Sequence, residues 1–301
     1  MFVNSNEFKA IRNYFSEHLD GLYSSSELKI ILKYLFLKRF EGADYILADE
    51  KRLSESDLLF FHEALKRLRN HEPFQYVLGE CEFYGLLLKC DARALIPRPE
   101  TEELVDWIIT TSFEPRLESR GDTIGIVDIC SGSGCIALAL KSQLPNANVS
   151  AIEFSGDALA LLNENRSLTD LEIHTIYANA LSDDYTSLVN GKQDVIVSNP
   201  PYIPVSDRQR MAANVLDFEP EMALFVENDD PLIFYREIMQ RSRTILKEGG
   251  WLYFEIHEDL SEDVKLLFEK SNFVNIELRK DLQGKARMMR GQVVNSGHER
   301  Q

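Results

Sequence analysis

The chain has 301 residues, 44% of them hydrophobic and 27% charged, with 33 Lys+Arg against 49 Asp+Glu and a formal net charge of −16. That hydrophobic share excludes a disordered chain, and the length allows one large or two modest domains with sizeable cores. The acidity argues against a sequence-independent grip on nucleic-acid phosphates, no uncharged apolar run approaches the ~20 residues of a membrane span, and residues 1–10 lack the basic start and apolar stretch of a signal peptide.

Residues 1–75 carry a net charge of −1 and the remainder −15. The first part reads as helices. Leu28, Ile31, Leu32, Leu35 and Phe36 recur at three and four, one face of a helix. Ser54-Glu55-Ser56-Asp57 reads as a capping box opening a helix with Leu58, Phe61, Leu65 and Leu68 inward. A small helical bundle over residues 1–74 is expected. Pro73 ends it, and residues 75–98, punctuated by Gly79 and Gly85, read as a hairpin or an extended connector. Pro97-Arg98-Pro99 is stiff, and Glu100-Thr101-Glu102-Glu103 before Leu104, Val105, Trp107 and Ile108 starts a helix.

From Thr123 strands and helices alternate. Strands are expected at 124–129, 149–153, 172–177, 194–198 and 251–256, and helices at 135–143, 157–165, 231–246 and 261–269. Such alternation implies an α/β fold with a mostly parallel sheet wrapped by helices. The polar end beyond Val294 reads as a frayed tail over residues 296–301. The four cysteines, none in a CxxC pair, read as small buried thiols in a reducing cytosol, so a cytoplasmic location is expected.

Asp128-Ile129-Cys130-Ser131-Gly132-Ser133-Gly134 follows the first of these strands and precedes a helix. A Gly-rich turn there lets the backbone approach a ligand at the strand's carboxyl end. It lacks the G-x-G-x-x-G spacing and the Gly-Lys-Ser/Thr of phosphate cradles. Glu153 ends the second strand, about 20 residues beyond the turn, where an acid suits two ribose hydroxyls; an exposed Glu opening the next helix is the plainer alternative. Asn179, after the third strand, suits an adenine edge or simply a turn.

Ser198-Asn199-Pro200-Pro201-Tyr202 follows the fourth strand. Two consecutive prolines have no N–H groups, so the loop offers carbonyl acceptors without competing donors. Asn199 Oδ1 and the Pro200 carbonyl could each take one hydrogen of a planar NH₂ group, with Tyr202 stacked on the flat group bearing it. Nothing in the loop is a strong base, so the reaction depends on positioning more than on proton abstraction. The six histidines show no ligand-like spacing, and no metal is assigned.

Residues 128–134, Glu153 and Asn199–Tyr202 together resemble a class I S-adenosylmethionine-dependent methyltransferase acting on a planar amine or amide nitrogen. Gln75-Tyr76-Val77-Leu78-Gly79, Phe83-Tyr84-Gly85, the run 96–102, Phe218-Glu219-Pro220 and Asp281-Leu282-Gln283-Gly284-Lys285 are similar to the release-factor glutamine methyltransferases. The resemblance runs from about Gln75 to about Gly291. It implies a Rossmann-like catalytic domain over 99–295 and a helical N-terminal domain that recognises substrate. It implies that Cys130, Ser131, Gly132, Ser133 and Gly134 lie against the methionine and ribose of the cofactor. Glu153 would then hold the ribose hydroxyls, and Asn179 and Ala180 would border the adenine, with Asn199 also near the cofactor. Asn199, Pro200, Pro201 and Tyr202 would receive the side-chain amide of the Gln in the Gly-Gly-Gln loop of peptide chain release factors. Against the usual pattern, Cys130 and Ser131 stand where Gly and Thr are frequent, Glu153 and Asn179 where Asp is common, and Ala286 where a polar residue is often found.

A glutamine methyltransferase with a ribosomal-protein substrate shares these motifs, but the 98–102 run tilts toward release factors. A DNA adenine methyltransferase would need a basic target-recognition region, which is not apparent. A non-catalytic binder would not need the acceptor pair. The expected partners are therefore release factors, with no direct nucleic acid, no membrane and a monomeric chain. Asp217, Glu219, Glu221, Glu227, Asp229 and Asp230 form a stretch without Lys or Arg, which either faces basic residues of that substrate or is a solvated surface.

Overall fold

The structure is a computed structural model that describes residues 3–113, 123–182 and 184–294. The expected frayed tail lies outside the described residues. The chain divides into two compact units, one of residues up to Glu80 with Ala212–Phe218, the other of Cys81–Met211 and the residues from Glu219 onward.

The first unit contains α1 (Phe8–His18), α2 (Ser25–Arg39), α3 (Glu55–Arg69) and α4 (Phe74–Leu78). Capping boxes open α2 and α3: the Ser24 and Ser54 side chains accept from the backbone N–H of Glu27 and Asp57, whose carboxylates accept in return. Each box satisfies two otherwise orphaned donors. The apolar faces read from the sequence are buried, from Leu28 to Phe36 on α2 and from Leu58 to Leu68 on α3. Phe8 is central, its ring edge-on to Phe36 at 4.9 Å and Phe61 at 5.4 Å between centroids, the arrangement favoured by aromatic quadrupoles. The short α4 ends on Gly79 at φ +78°, and its Tyr76 and Val77 carbonyls accept from the Arg67 guanidinium.

The second unit, from Cys81, takes in the rest of β1 (Glu80–Phe83) and β2 (Leu86–Lys89), joined through Tyr84 and Gly85 at φ +48° and +78°. Positive φ at both positions is the hairpin turn that matches strand twist. Helix α5 (Pro99–Ile108) has Pro99 at its start, and its Glu102 accepts from the Tyr84 N–H at 2.6 Å. The alternating part then runs β3 (Gly125–Ile129), α6 (Cys135–Gln143), β4 (Asn148–Glu153), α7 (Gly156–Thr169), β5 (His174–Tyr177), β6 (Gln193–Ser198) and β7 (Ile203–Pro204). After α8 (Ala213–Phe218), which belongs to the first unit, come α9 (Glu221–Leu224), β8 (Phe225–Val226), α10 (Ile233–Ile245), β9 (Leu246–Glu255), α11 (Ser261–Lys270), β10 (Phe273–Lys280) and β11 (Ala286–Val293).

Seven strands form one sheet in the order β10-β11-β9-β6-β3-β4-β5. β3 is central and every residue of it is buried, which is why it reads as a nearly continuous apolar run. β4 and β5 are laid down on one side of β3, β6 and β9 on the other, all parallel. The reversal of winding beside β3 opens a crevice at the carboxyl ends of the strands. Only β11 breaks the pattern, antiparallel to both β9 and β10.

The β10–β11 pair was not expected from the sequence. β10 is an edge strand with mostly exposed or half-exposed residues, and β11 carries a buried arginine. Arg290 lies 4.1 Å from the Trp251 ring centroid and 4.9 Å from that of Trp107, and it donates to Glu277 at 2.8 Å. Cation–π contacts and an ion pair thus carry a charge into a sheet position that looks like surface in the sequence. Among the described residues no helix is long and apolar enough to cross a membrane.

Candidate active site at the strand ends

The turn after β3 folds back on β4. The Ser131 N–H donates to the Ile152 carbonyl at 3.1 Å, the one hydrogen of its hydroxyl is shared between the Asp128 and Ile152 carbonyls, and the Gly134 N–H donates to the Ser131 carbonyl at 2.8 Å. Gly132 and Gly134 have φ of +54° and +82°. A Cβ on Gly134 would stand 2.8 Å from Leu162 Cγ. Gly134→Ala therefore combines left-handed strain with a clash, and a loss of roughly 2–4 kcal/mol in unfolding free energy is expected; denaturant melts check it, and an unchanged midpoint would contradict it.

Cys130 also has positive φ, +62°. A side chain there costs about 1–2 kcal/mol, so the frequency of Gly at this position in the family pattern has a backbone cause. The expectation of four buried thiols is corrected here: Cys81 and Cys90 are buried, but Cys130 and Cys135 are half-buried and line the crevice. Burial, with Glu153 and Asp128 near Cys130 and Asp128 near Cys135, pushes both thiols up.

Glu153, at the end of β4, is 9% exposed, so it is not a solvated helix-opening residue. Its Oε2 accepts from the Gly132 N–H at 2.8 Å, and its Oε1 from the N–H groups of Phe154 and Ser155 at 2.8 and 2.7 Å. One carboxylate thereby ties the β3 turn to the β4 turn and keeps acceptor capacity on Oε2. Asn179, beyond β5, accepts from the Leu181 N–H through Oδ1 at 2.9 Å, an Asx turn. Ala180 is buried beside it.

After β6, Ser198 donates to the Ile129 carbonyl at 2.6 Å, fixing the start of the acceptor loop against β3. Asn199 is half-buried, Pro200 and Pro201 are buried, and Tyr202 is half-buried. The Tyr202 hydroxyl donates to Glu255 Oε1 at 3.0 Å, and its ring is edge-on to His257. Burial and the Glu255 charge push this phenol well up, so it keeps its proton. Burial likewise pushes Glu255 up, against the pull of the Thr101 and Tyr202 hydroxyls and Arg287.

Cys130, Ser131, Gly132, Ser133, Glu153, Asn199 and Pro201 line one cavity of about 300 Å³. Asn179 and Ala180 line a second, of about 220 Å³, walled by Phe154, Leu181 and Phe234. Cys130, Glu153 and Met222 belong to both. Gly134, Pro200 and Tyr202 line neither. The first cavity is completed by residues 92–98, Thr101, Pro220, Met222 and Ala223, which were not singled out as site residues from the sequence. Glu219 holds that wall together: its carboxylate accepts from the Ile96 N–H at 3.2 Å and from Arg98 at 2.5 Å.

The acidic stretch is thus less free than its sequence suggests. Glu219 is buried and paired with Arg98, Glu221 pairs with Arg208, and Asp230 with Arg236. Asp217, Glu227 and Asp229 are exposed. The fold also brings Asp207, His257 and Asp259 within ligand distance of one another. His257 Nδ1 accepts from the Asp259 N–H at 3.2 Å, which places the proton of the neutral ring on Nε2, facing Asp207.

Asp128 lies beneath the turn, with Oδ2 accepting from the Ala137 N–H at 3.2 Å and Oδ1 unpaired. Burial pushes its carboxyl up to about 8. An unfolded Asp titrates near 3.9, so the folded state holds this proton more tightly. The associated stability is fully present below pH ~4 and is lost as pH rises through about 8. Asp128→Asn is expected to flatten the fall in melting temperature across that window; parallel pH curves would contradict this.

Four strand-end turns converging on one crevice of a seven-stranded, mostly parallel sheet define a class I methyltransferase architecture. Residues 110–217 match the family model described as Methyltransferase small domain, and residues 12–79 the one described as PrmC N-terminal domain. The fold is shared with a methyltransferase from Pyrococcus furiosus (TM-score 0.50, 16% identity, 69% of this chain and 89% of that one). It is shared also with human methyltransferase 10 domain containing protein (TM-score 0.51, 15% identity, 70% and 89%). Release factor glutamine methyltransferase of Flavobacterium psychrophilum is 39% identical, over 94% of this chain and 98% of the relative. Those of Bacteroides thetaiotaomicron (36%; 93% and 98%) and Streptococcus pneumoniae (38%; 88% and 90%) are similar. The chain belongs to the release factor glutamine methyltransferase family.

Proposed function

We propose that the protein transfers a methyl group from S-adenosylmethionine to the side-chain amide nitrogen of the Gln in the Gly-Gly-Gln loop of peptide chain release factors. The observation that carries this reading is that Asn199, of the acceptor loop, lines the same cavity as the Cys130–Ser133 turn and Glu153. The cofactor suits the residues present. Gly132 has no side chain to fill the cavity beside it, Glu153 keeps acceptor capacity for ribose hydroxyls, and the smaller cavity offers Phe154 and Phe234 to a flat base. Cys130 to Gly134 would hold the methionine and ribose parts, and Asn179 and Ala180 the adenine. When bound, the cofactor supplies a methyl group already activated on a sulfonium.

An amide nitrogen is a poor nucleophile because its lone pair is shared with the carbonyl. Asn199 Oδ1 and the Pro200 carbonyl would each accept one of its hydrogens and fix its direction. Their hold strengthens as the nitrogen gains positive charge, so the stabilisation is larger in the transition state than in the ground state. Tyr202 keeps the loop in place through Glu255. The surplus proton leaves after transfer, so no catalytic His is required.

The helical unit at the N-terminus is proposed to engage the release factor, in line with its match to the PrmC N-terminal domain model. Labelled-methyl assays with release factors, ribosomal proteins and DNA side by side test the substrate class. Label is expected in release factors; label confined to ribosomal protein or to DNA would overturn the assignment.

A further inference from the structure

Glu255, the last residue of β9, is a buried carboxylate with a hydroxyl on each oxygen. Thr101 Oγ1 donates to Oε2 at 2.6 Å, and the Tyr202 hydroxyl donates to Oε1 at 3.0 Å. A hydroxyl has one hydrogen to give. That of Thr101 is committed to the carboxylate in a short, charge-assisted bond. Thr101 therefore offers Asn199 only lone pairs. The amide group facing it, at 3.4 Å, is Nδ2, and a donor is the one end that can sit there. Oδ1 is left as the acceptor end of Asn199, a residue that lines the cavity.

The two orientations of an Asn amide have nearly the same shape and are told apart by hydrogen bonding alone. In the wrong one, the Asn199 NH₂ would face the NH₂ of a substrate amide, donor against donor. We propose that Glu255 and Thr101 are positioning residues that lock the Asn199 amide with its oxygen toward the substrate nitrogen. This rests on the function proposed above and adds to it the device that sets the polarity of the acceptor. Glu255 does this across 154 residues of sequence from Thr101.

Removing the lock and inverting it have different consequences. Thr101→Val leaves Asn199 free in either orientation, and kcat/KM for the release factor is expected to fall roughly two- to fivefold. Thr101→Ser, which keeps the hydroxyl, restores most of that loss. Glu255→Leu deprives Thr101 of its acceptor, so its hydrogen turns to Asn199 Oδ1 and favours the wrong orientation; a fall of about tenfold is expected. Adding Thr101→Val to Glu255→Leu removes the misdirected donor but not the loss of the Tyr202 tether, so activity is expected to recover in part, above Glu255→Leu and below Thr101→Val.

The cofactor dissociation constant, by calorimetry, is expected to stay near the parent's in all four. Parental turnover on the release factor tests the function first, and the ratios among variants test the lock. Equal loss in Thr101→Val and Thr101→Ser, no loss in Thr101→Val, or a double variant no more active than Glu255→Leu would overturn it. Should Glu255→Leu fail to fold, the Val and Ser pair decides alone.

Discussion

Asn199→Ala is expected to lower turnover by about 10²–10³-fold, the loss seen when one preorganised acceptor or donor is taken from a developing charge. Asn199 lines the cavity beside the β3 turn, while the ties that shape that turn run through Glu153, Ser131 and Gly134. The turn therefore survives the substitution, and S-adenosylmethionine affinity is expected to stay close to the parent's. A fall in kcat and kcat/KM together marks an interaction made in the transition state. Single-turnover methylation with calorimetric cofactor titration separates the two effects. Unchanged turnover would refute the role given to Asn199, and a matching loss of cofactor affinity would reassign it to binding.

Glu153→Ala is the second large effect. It removes the acceptor of three backbone N–H groups, at Gly132, Phe154 and Ser155, and with them the link between two strand-end turns. It also removes the proposed partner of the ribose hydroxyls. Charge-assisted bonds of this kind are worth ~1.5–3 kcal/mol each, so cofactor binding is expected to weaken by at least about tenfold, with a lower melting temperature. Glu153→Gln has a single acceptor oxygen and cannot serve both turns, so an intermediate affinity is expected. Equal affinity in the parent and Glu153→Ala would remove Glu153 from the cofactor site.

Much of this arrangement is written locally in the chain. The Gly-rich turn, Asn179 and Asn199–Tyr202 each follow a strand and Glu153 ends one, and the alternation of strands and helices puts strand ends on one side of a sheet. The capping boxes at Ser24 and Ser54 and the buried faces of α2 and α3 are likewise local; of these, the box at Ser54 and both faces stand out in the sequence. What was not legible is long-range pairing. Thr101 with Glu255, and Glu219 with Arg98 and Ile96, join residues more than a hundred positions apart, and no periodicity announces such partners.

The same holds for charge. The stretch from Asp217 to Asp230 lacks Lys and Arg in sequence, yet Arg98, Arg208 and Arg236 neutralise part of it in space. Arg290 hides its strand by being buried among Trp107, Trp251 and Tyr253. The positive φ of Cys130 is invisible without coordinates, because a cysteine does not advertise a left-handed turn as a glycine does.

Methyl transfer to one nitrogen of one glutamine leaves a product that can be read directly. The direct measurement is peptide mass spectrometry of a release factor incubated with the protein and isotopically labelled S-adenosylmethionine, beside a variant carrying Gly-Gly-Ala in place of Gly-Gly-Gln. One labelled methyl on the Gln of the Gly-Gly-Gln peptide, absent from the variant, is the predicted result. Label elsewhere in the release factor, equal label in the variant, or none in either would contradict it.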